Sequence, residues 1–216
     1  MKRTIYFLVF VGCVFIIGCD SDSEEFDGSD NIITVSRDFS EFVKIDAEDD
    51  LDVNIMQGNK QKVEIMVNDN LQEQLLTRVD DNTLFVGLAN GSYSNETFVV
   101  NIELLNLESI RLEDNTRGVA DVSTDVLELD VNDSAELMLS GSSETLNLNI
   151  NDAGLLNGFS FTTNILNTTS TDASEVEITC NSELNGSVND ASELRYKGMP
   201  VVNAITSDNG KIIDAN

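Results

Sequence analysis

Apolar and polar residues alternate with a period of two along most of the chain. Phe42-Val43-Lys44-Ile45, Leu51-Asp52-Val53-Asn54-Ile55, Val63-Glu64-Ile65-Met66-Val67, Leu84-Phe85-Val86 and Phe98-Val99-Val100-Asn101-Ile102 all carry strand-like signals. That spacing puts alternate side chains on one face of a β-strand. Turn-prone segments such as Gln57-Gly58-Asn59 and Asn90-Gly91-Ser92 separate the runs. One stretch departs from the pattern. Leu71, Leu75, Leu76 and Val79 fall on a helical face behind an Asn70 cap, so one short helix is expected over 70–79.

The second half repeats one phrase: Asn132-Asp133-Ser134-Ala135-Glu136-Leu137, Asn151-Asp152-Ala153-Gly154-Leu155, Thr171-Asp172-Ala173-Ser174-Glu175-Val176 and Asn189-Asp190-Ala191-Ser192-Glu193-Leu194. Extended in both directions, its aspartates are Asp114, Asp133, Asp152, Asp172, Asp190 and Asp208, with steps of 19, 19, 20, 18 and 18. A second ladder, Leu127, Leu146, Ile165, Leu184 and Val202, runs ahead of each turn in the same register. Each unit has an alternating strand such as Leu146-Asn147-Leu148-Asn149-Ile150, a polar turn, and a second short strand. A unit of about 19 residues is too small to close a core, so it must stack on its neighbours. The expected fold is all-β: a parallel β-solenoid over 33–216, less regular in 33–105 and regular in 106–216. Stacked hairpins or a β-sandwich are the alternatives, and they space their turns less evenly.

The opening of the chain has a different character. Lys2 and Arg3 precede an apolar run from Ile5 to Ile17, long enough for a signal-peptide core and shorter than the roughly 20 residues of a membrane span. The run ends in Ile16-Ile17-Gly18-Cys19, which resembles the lipobox of bacterial lipoproteins. The resemblance implies removal of 1–18 and acylation of Cys19, whose thiol receives the lipid; a short membrane anchor is the alternative. Two or three acyl chains, typical of this class, give stable anchoring where one would bind only reversibly. Residues 19–32 are polar and acidic, with little to bury, and are expected to form a solvated tether. An acidic patch directly after the lipidated cysteine also resembles the surface-export signal of Bacteroidetes lipoproteins. It implies an outer-membrane protein facing outward, with a periplasm-facing anchor as the alternative because Asp20 can specify retention in other Gram-negative groups.

The body also resembles a family, the putative auto-transporter adhesin, head GIN domain group of Bacteroidetes lipoproteins. The resemblance rests on Phe39-Ser40-Glu41-Phe42-Val43-Lys44-Ile45, on Leu51 to Gly58, on Asp81-Asn82-Thr83-Leu84-Phe85-Val86 and on the Asp-Ala-Ser-Glu-Leu repeat. Relatives more often read Ser-Gly where Asn-Asp stands at 132–133, 151–152 and 189–190, so this chain has the more acidic surface. The resemblance implies an adhesin-like, non-catalytic interaction module with an extracellular protein or glycan as partner. A structural envelope lipoprotein without a dedicated ligand is the alternative.

Composition narrows the chemistry. A formal net charge of −27 excludes nucleic acid as a natural partner, since phosphate binding needs clustered Lys and Arg. The chain has no His and no Trp, which removes a Ser–His nucleophile, a typical zinc site and the usual aromatic platform of a sugar cleft; Tyr93 and Tyr196 are the tyrosines of the body. Carboxylate pairs such as Asp152 with Asp172 are the only acid–base candidates, so polysaccharide cleavage is a minor alternative. Cys180 lies in a strand-like alternation and is expected to be a buried structural thiol. The ladder Asp133, Asp152, Asp172 and Asp190 has two readings. Each side chain accepts hydrogen bonds from backbone N–H groups of its own turn, or calcium bridges neighbouring carboxylates. No other cofactor is expected. Asp133-Ser134-Ala135 resembles the Bacteroidetes O-glycosylation sequon, which would place a glycan on Ser134, with one more repeat turn as the simpler reading.

Overall fold

The structure, a computed structural model, describes residues 24–216. The signal segment, Cys13 and Cys19 lie outside the described residues. The strands are β1 Glu25–Asp27, β2 Ile32–Arg37, β3 Lys44–Ala47, β4 Asp52–Gln57, β5 Lys62–Asn68, β6 Leu75–Asp80, β7 Thr83–Leu88, β8 Ser92–Ser94 and β9 Phe98–Leu104. They continue as β10 Ser109–Leu112, β11 Arg117–Val131, β12 Glu136–Ile150, β13 Leu155–Ser170, β14 Glu175–Val188, β15 Glu193–Lys197, β16 Val201–Val202, β17 Ile205–Thr206 and β18 Lys211–Asp214. Among the described residues there is no helix.

From β10 onward the chain is a parallel β-solenoid. Each coil lies on the one before it, with register partners such as Leu127 and Leu146, Leu146 and Leu166, and Leu166 and Leu184. Successive rungs of such a sheet are about 4.8 Å apart. The long strands turn a corner, which the burial pattern marks. In β11, Gly118, Ala120 and Val122 face inward, and after Thr124 to Val126 the inward set becomes Leu127, Leu129 and Val131. Each coil thus builds two walls with a shared core, a first wall through 117–122, 136–141 and 193–197 and a second through 126–131, 145–150 and 183–188. Leu127, Leu129, Val131, Leu137, Leu139, Leu146, Leu148 and Ile150 are all at most 2% exposed. Each such side chain contributes roughly 1.5–3 kcal/mol of burial. Along one inward row the side chains shrink from Leu129 and Leu148 to Thr168, whose partner on the next coil is the exposed Gly186, and the Thr168 hydroxyl is buried without a hydrogen-bond partner.

The first half reaches the same stack by a different path. Strands β3 and β4 form a coil that pairs in parallel with β10 and β11 on one side and with β7 and β9 on the other. The chain therefore leaves this coil at Gln57, builds a further coil outside it from β7 and β9, and crosses back to continue at Ser109. Antiparallel strands finish that end: β5 pairs with β9, β2 with β5, and β6 with β7.

Two expectations are corrected here. Residues 70–79 are not a helix. Residues 69–74 form turns closed by Leu71 N–H to Asn68 O and Gln74 N–H to Leu71 O, and Leu75–Asp80 is a strand with alternating burial. Asp81 and Asn82 both have positive φ (46° and 59°), the geometry of a two-residue hairpin that fixes β6 against β7. The ladder so formed overrides a four-residue helical pattern. The described part of the acidic stretch is not a free tether either. β1 pairs in parallel with β8, Phe26 stacks on Tyr93 at 5.2 Å, and Ser29, Asn31 and Asp69 share hydrogen bonds.

Candidate functional site: the turn edge, the asparagine wall and an adjoining groove

The repeat turns line one edge of the solenoid. Asp114, Asp133, Asp152, Asp172, Asp190 and Asp208 all have positive φ, between 49° and 63°. Asp and Asn tolerate this left-handed conformation better than other side-chain-bearing residues. The turns at Asn132, Asn151, Asn189 and Ser207 close with a bond from the N–H three residues on, as Ala135 N–H to Asn132 O. The aspartate carbonyls then accept from the next coil, Ala153 N–H to Asp133 O at 2.7 Å and Ala173 N–H to Asp152 O at 2.7 Å. The ladder is thus continuous through the turns, and it is the aspartate backbone that holds it. Among the described residues, the carboxylates of Asp133, Asp152, Asp172 and Asp190 accept no hydrogen bond from their own turn's backbone, against the expectation of side-chain turns. They are exposed, and among the described residues no set of three or more His, Cys, Asp or Glu side chains is placed to hold a metal ion. Ser134 is exposed at its turn.

The second wall carries a feature missed in the sequence. Its outward row on successive coils reads Glu128, Asn147, Asn167, Asn185 and Asn203, and each amide donates to the oxygen of the residue before it, at 2.6, 2.8, 3.2 and 2.9 Å. Asn149 donates to Asp130 in the neighbouring row, and Asn151 to Asn132 at the turn. An amide has two donors and two acceptor sites, so a ladder that uses one of each per rung leaves one of each facing water. The wall presents these groups at the rung spacing. The readable signal was Asn recurring at steps of 20, 18 and 18 in phase with the aspartates.

Beside this wall, toward the first half, a groove of about 340 Å³ opens over Gly87, lined by Asp46, Glu48, Leu76, Arg78 and Phe85. Gly87 supplies the gap between the flanking side chains, and the Arg78 guanidinium stacks 3.9 Å over the Phe85 ring. Burial pushes the Asp46 carboxyl above the ordinary range, with Arg111 opposing and Glu113 assisting. Glu48 is pushed up in the same sense by burial and by the neighbouring carboxylates Asp49, Asp46, Asp114 and Glu113. Tyr93 is no platform for a sugar: it packs between Phe26 and Phe98 and donates its hydroxyl to Ala89 O. Cys180 is fully buried, its Sγ 3.1 Å from Glu183 O, and burial raises its thiol pKa. Asp152 and Asp172 sit on adjacent exposed turns. Among the described residues no helix is long and apolar enough to cross a membrane.

A closed parallel coil stack whose polar chemistry lies on its outer walls belongs to the class of β-solenoid proteins. The sequence profile of the family described as "putative auto-transporter adhesin, head GIN domain" matches residues 41–200, and the chain belongs to that family. Solved structures share the fold. A putative adhesin from Bacteroides fragilis is 19% identical, with a TM-score of 0.70 over 87% of this chain and 98% of its own. A putative adhesin from Parabacteroides merdae is 18% identical, with a TM-score of 0.57 over 90% and 100%. A protein from Parabacteroides distasonis titled putative lipid binding protein is 16% identical, with a TM-score of 0.56 over 89% and 100%. No curated protein matches the chain.

Proposed function

We propose that this chain is a cell-envelope lipoprotein, cleaved before Cys19, acylated there and displayed on the outer face of the outer membrane, where it serves as an adhesin-like interaction module. The observation that carries the reading is the regular coil stack, which offers long flat walls in place of a catalytic cleft. The second wall offers free amide donors and acceptors at every rung, a pattern suited to an extended partner such as a glycan or a protein strand. Family membership supports the same reading. The turn aspartates Asp133, Asp152, Asp172 and Asp190 act through their backbone, and the function needs no cofactor. Ser134, exposed on its turn, is open to a glycan.

Protease shaving of intact cells tests the proposal, comparing the native chain with Cys19→Ala and with a form neutralised at Asp20, Asp22, Glu24 and Glu25. The native chain is expected to be membrane-bound and shaved, Cys19→Ala to be released from the membrane, and the neutralised form to stay protected. A native chain that is anchored but protected would overturn surface display.

A further inference from the structure

The two walls differ in a way that the interaction reading leaves unused. Outward positions of the second wall in the regular coils are Asn, Asp, Glu, Thr or Ser except in one row at its corner, where Val126 and Ile165 stand on either side of Thr145. The first wall instead carries apolar side chains outward. Met56, Val119 and Met138 are 56%, 43% and 49% exposed. Val119 and Met138 are register partners on neighbouring strands, and Met56 is the partner of Asp121, two residues along from Val119. The three form a diagonal stripe across β4, β11 and β12. Methionine is a residue of cores and of adaptable binding surfaces, yet all four described methionines are substantially exposed. A groove of about 340 Å³ adjoins the stripe, between Met56, Val119 and the outward side chains of β5 and β9.

The charge around the stripe selects an occupant. From Gly118 to Leu194 the sequence holds no Lys or Arg. Asp121 and Glu136 flank the stripe, and among the described residues neither has a cation within 4.0 Å, whereas Lys62 is taken by Glu64 and Arg117 lies near Asp50 and Asp52. We propose that this stripe is a docking site for an extended cationic segment of a partner protein, in which aliphatic side chains cover Met56, Val119 and Met138 while Lys or Arg reach Asp121 and Glu136. In a strand, residues two apart are about 6.6 Å apart on one face, close to the separation between the stripe's rows. A segment whose inward face carries aliphatic and basic residues in turn at every second position therefore matches it. The inference deepens the reading as an interaction module and rests on it.

Fluorescence anisotropy on the full-length protein in nanodiscs of zwitterionic lipid tests it, with empty nanodiscs subtracted. The probes are labelled eight-residue peptides with Ser at every second position and, at the positions between, Lys and Leu in turn (Lys-Leu), Lys and Ser in turn (Lys-Ser) or Glu and Leu in turn (Glu-Leu). The Lys-Leu peptide is expected to bind at least about tenfold more tightly than Lys-Ser, with Glu-Leu not binding. A triple variant, Met56→Gln, Val119→Thr and Met138→Gln, keeps every charge and is expected to lose about tenfold for Lys-Leu alone. A matched variant at the far end of the stack, Met199→Gln, Val201→Thr and Ile205→Thr, removes three other exposed apolar side chains and is expected to bind as the parent does. Equal binding of Lys-Leu and Lys-Ser, or an unaffected triple variant, would reduce the effect to general charge attraction and overturn the proposal. Concentration-dependent dimerisation that the triple variant abolishes would give the stripe to a second copy and also overturn it. Because purified protein is used, neither result depends on where the chain resides in the cell.

Discussion

The two halves of the molecule reach the same stacked core by opposite means. Residues 109–214 use one set of positions over and over: an aspartate of positive φ, a small buried residue after it, and an asparagine whose amide meets its own counterpart one coil away. Residues 24–104 use contacts that occur once. Asn68, 2% exposed, donates to Ser29 O and Asn95 O and accepts from Thr97 N–H; Arg37 donates to Leu75 O and Gln72 O beside the edge of β6. Repetition distributes stability over many equivalent rungs, whereas the antiparallel end relies on single residues. This end also covers the stack, which a solenoid needs if its core is not to face water.

Substitutions should expose that difference. The largest effect is expected at Gly186, with φ of 119°, where an added Cβ would collide with the backbone carbonyl of Thr168. Gly186→Val should cost roughly 3–5 kcal/mol, read by denaturant unfolding, because the neighbouring rung cannot move aside. Next comes Asn68→Ala, which leaves three backbone groups without their partner and should cost about 2–3 kcal/mol. Its ladder counterpart Asn167→Ala, exposed to water, should cost under about 1 kcal/mol. Hydrogen exchange should show the Asn68→Ala loss concentrated in residues 24–104 and leave the coils protected. A smaller effect of opposite sign is expected at Thr168, whose buried hydroxyl has no partner. Thr168→Val should stabilise by about 1 kcal/mol, seen as a higher Tm.

The smallest effect is expected from pH. The Asp46 carboxyl is held above its ordinary value mainly by burial, so its protonated form is favoured in the fold. Its contribution is present below pH ~3.8 and is lost as pH rises through the raised folded value. Asp27 and Asp69 run the other way: hydrogen bonds from Asn95 and Ser94, and from Ser29 and Asn31, hold them low, so their contribution is present above pH ~3.8 and lost on acidification. Asp46→Asn should therefore gain stability relative to the parent as pH is raised from about 4 to about 7. A parallel pH profile for the two proteins would show that Asp46 is not the group responsible.

The same contrast explains what the sequence shows of the fold. The repeat is legible because its turns demand particular residues: a left-handed position that favours Asp, followed two residues later by a small residue, buried at Thr116, Ala135, Gly154, Ser174 and Ser192 and half-buried at Gly210 in the last coil. Those demands recur at every coil and so leave a period. Nothing recurs in the first half. The return of the chain after Gln57 to build a coil outside β3 and β4 depends on pairings between residues 39 to 65 apart, which no local pattern announces. Leu71, Leu75, Leu76 and Val79 mimic a helix because a buried turn residue followed by a strand can produce the same spacing. The asparagine wall was open to view at its steps of 20, 18 and 18, but alternating polar positions read as ordinary solvent-facing residues until the coils are stacked. The groove over Gly87 and the stripe at Met56, Val119 and Met138 join residues far apart in the chain and need the register to be seen.

The stacking itself can be measured directly with spin labels on the exposed turn positions Asp114 and Asp208, with Cys13 and Cys19 replaced by Ala and buried Cys180 left in place. Five coil steps separate the two sites, so electron–electron dipolar spectroscopy should give a single narrow distribution centred about 24 Å apart at the backbone, offset by the label arms. Labels at Asp114 and Asp172 should give about three-fifths of that backbone spacing. Equal distances for the two pairs, or a broad distribution for either, would contradict a stack that advances by one rung per repeat.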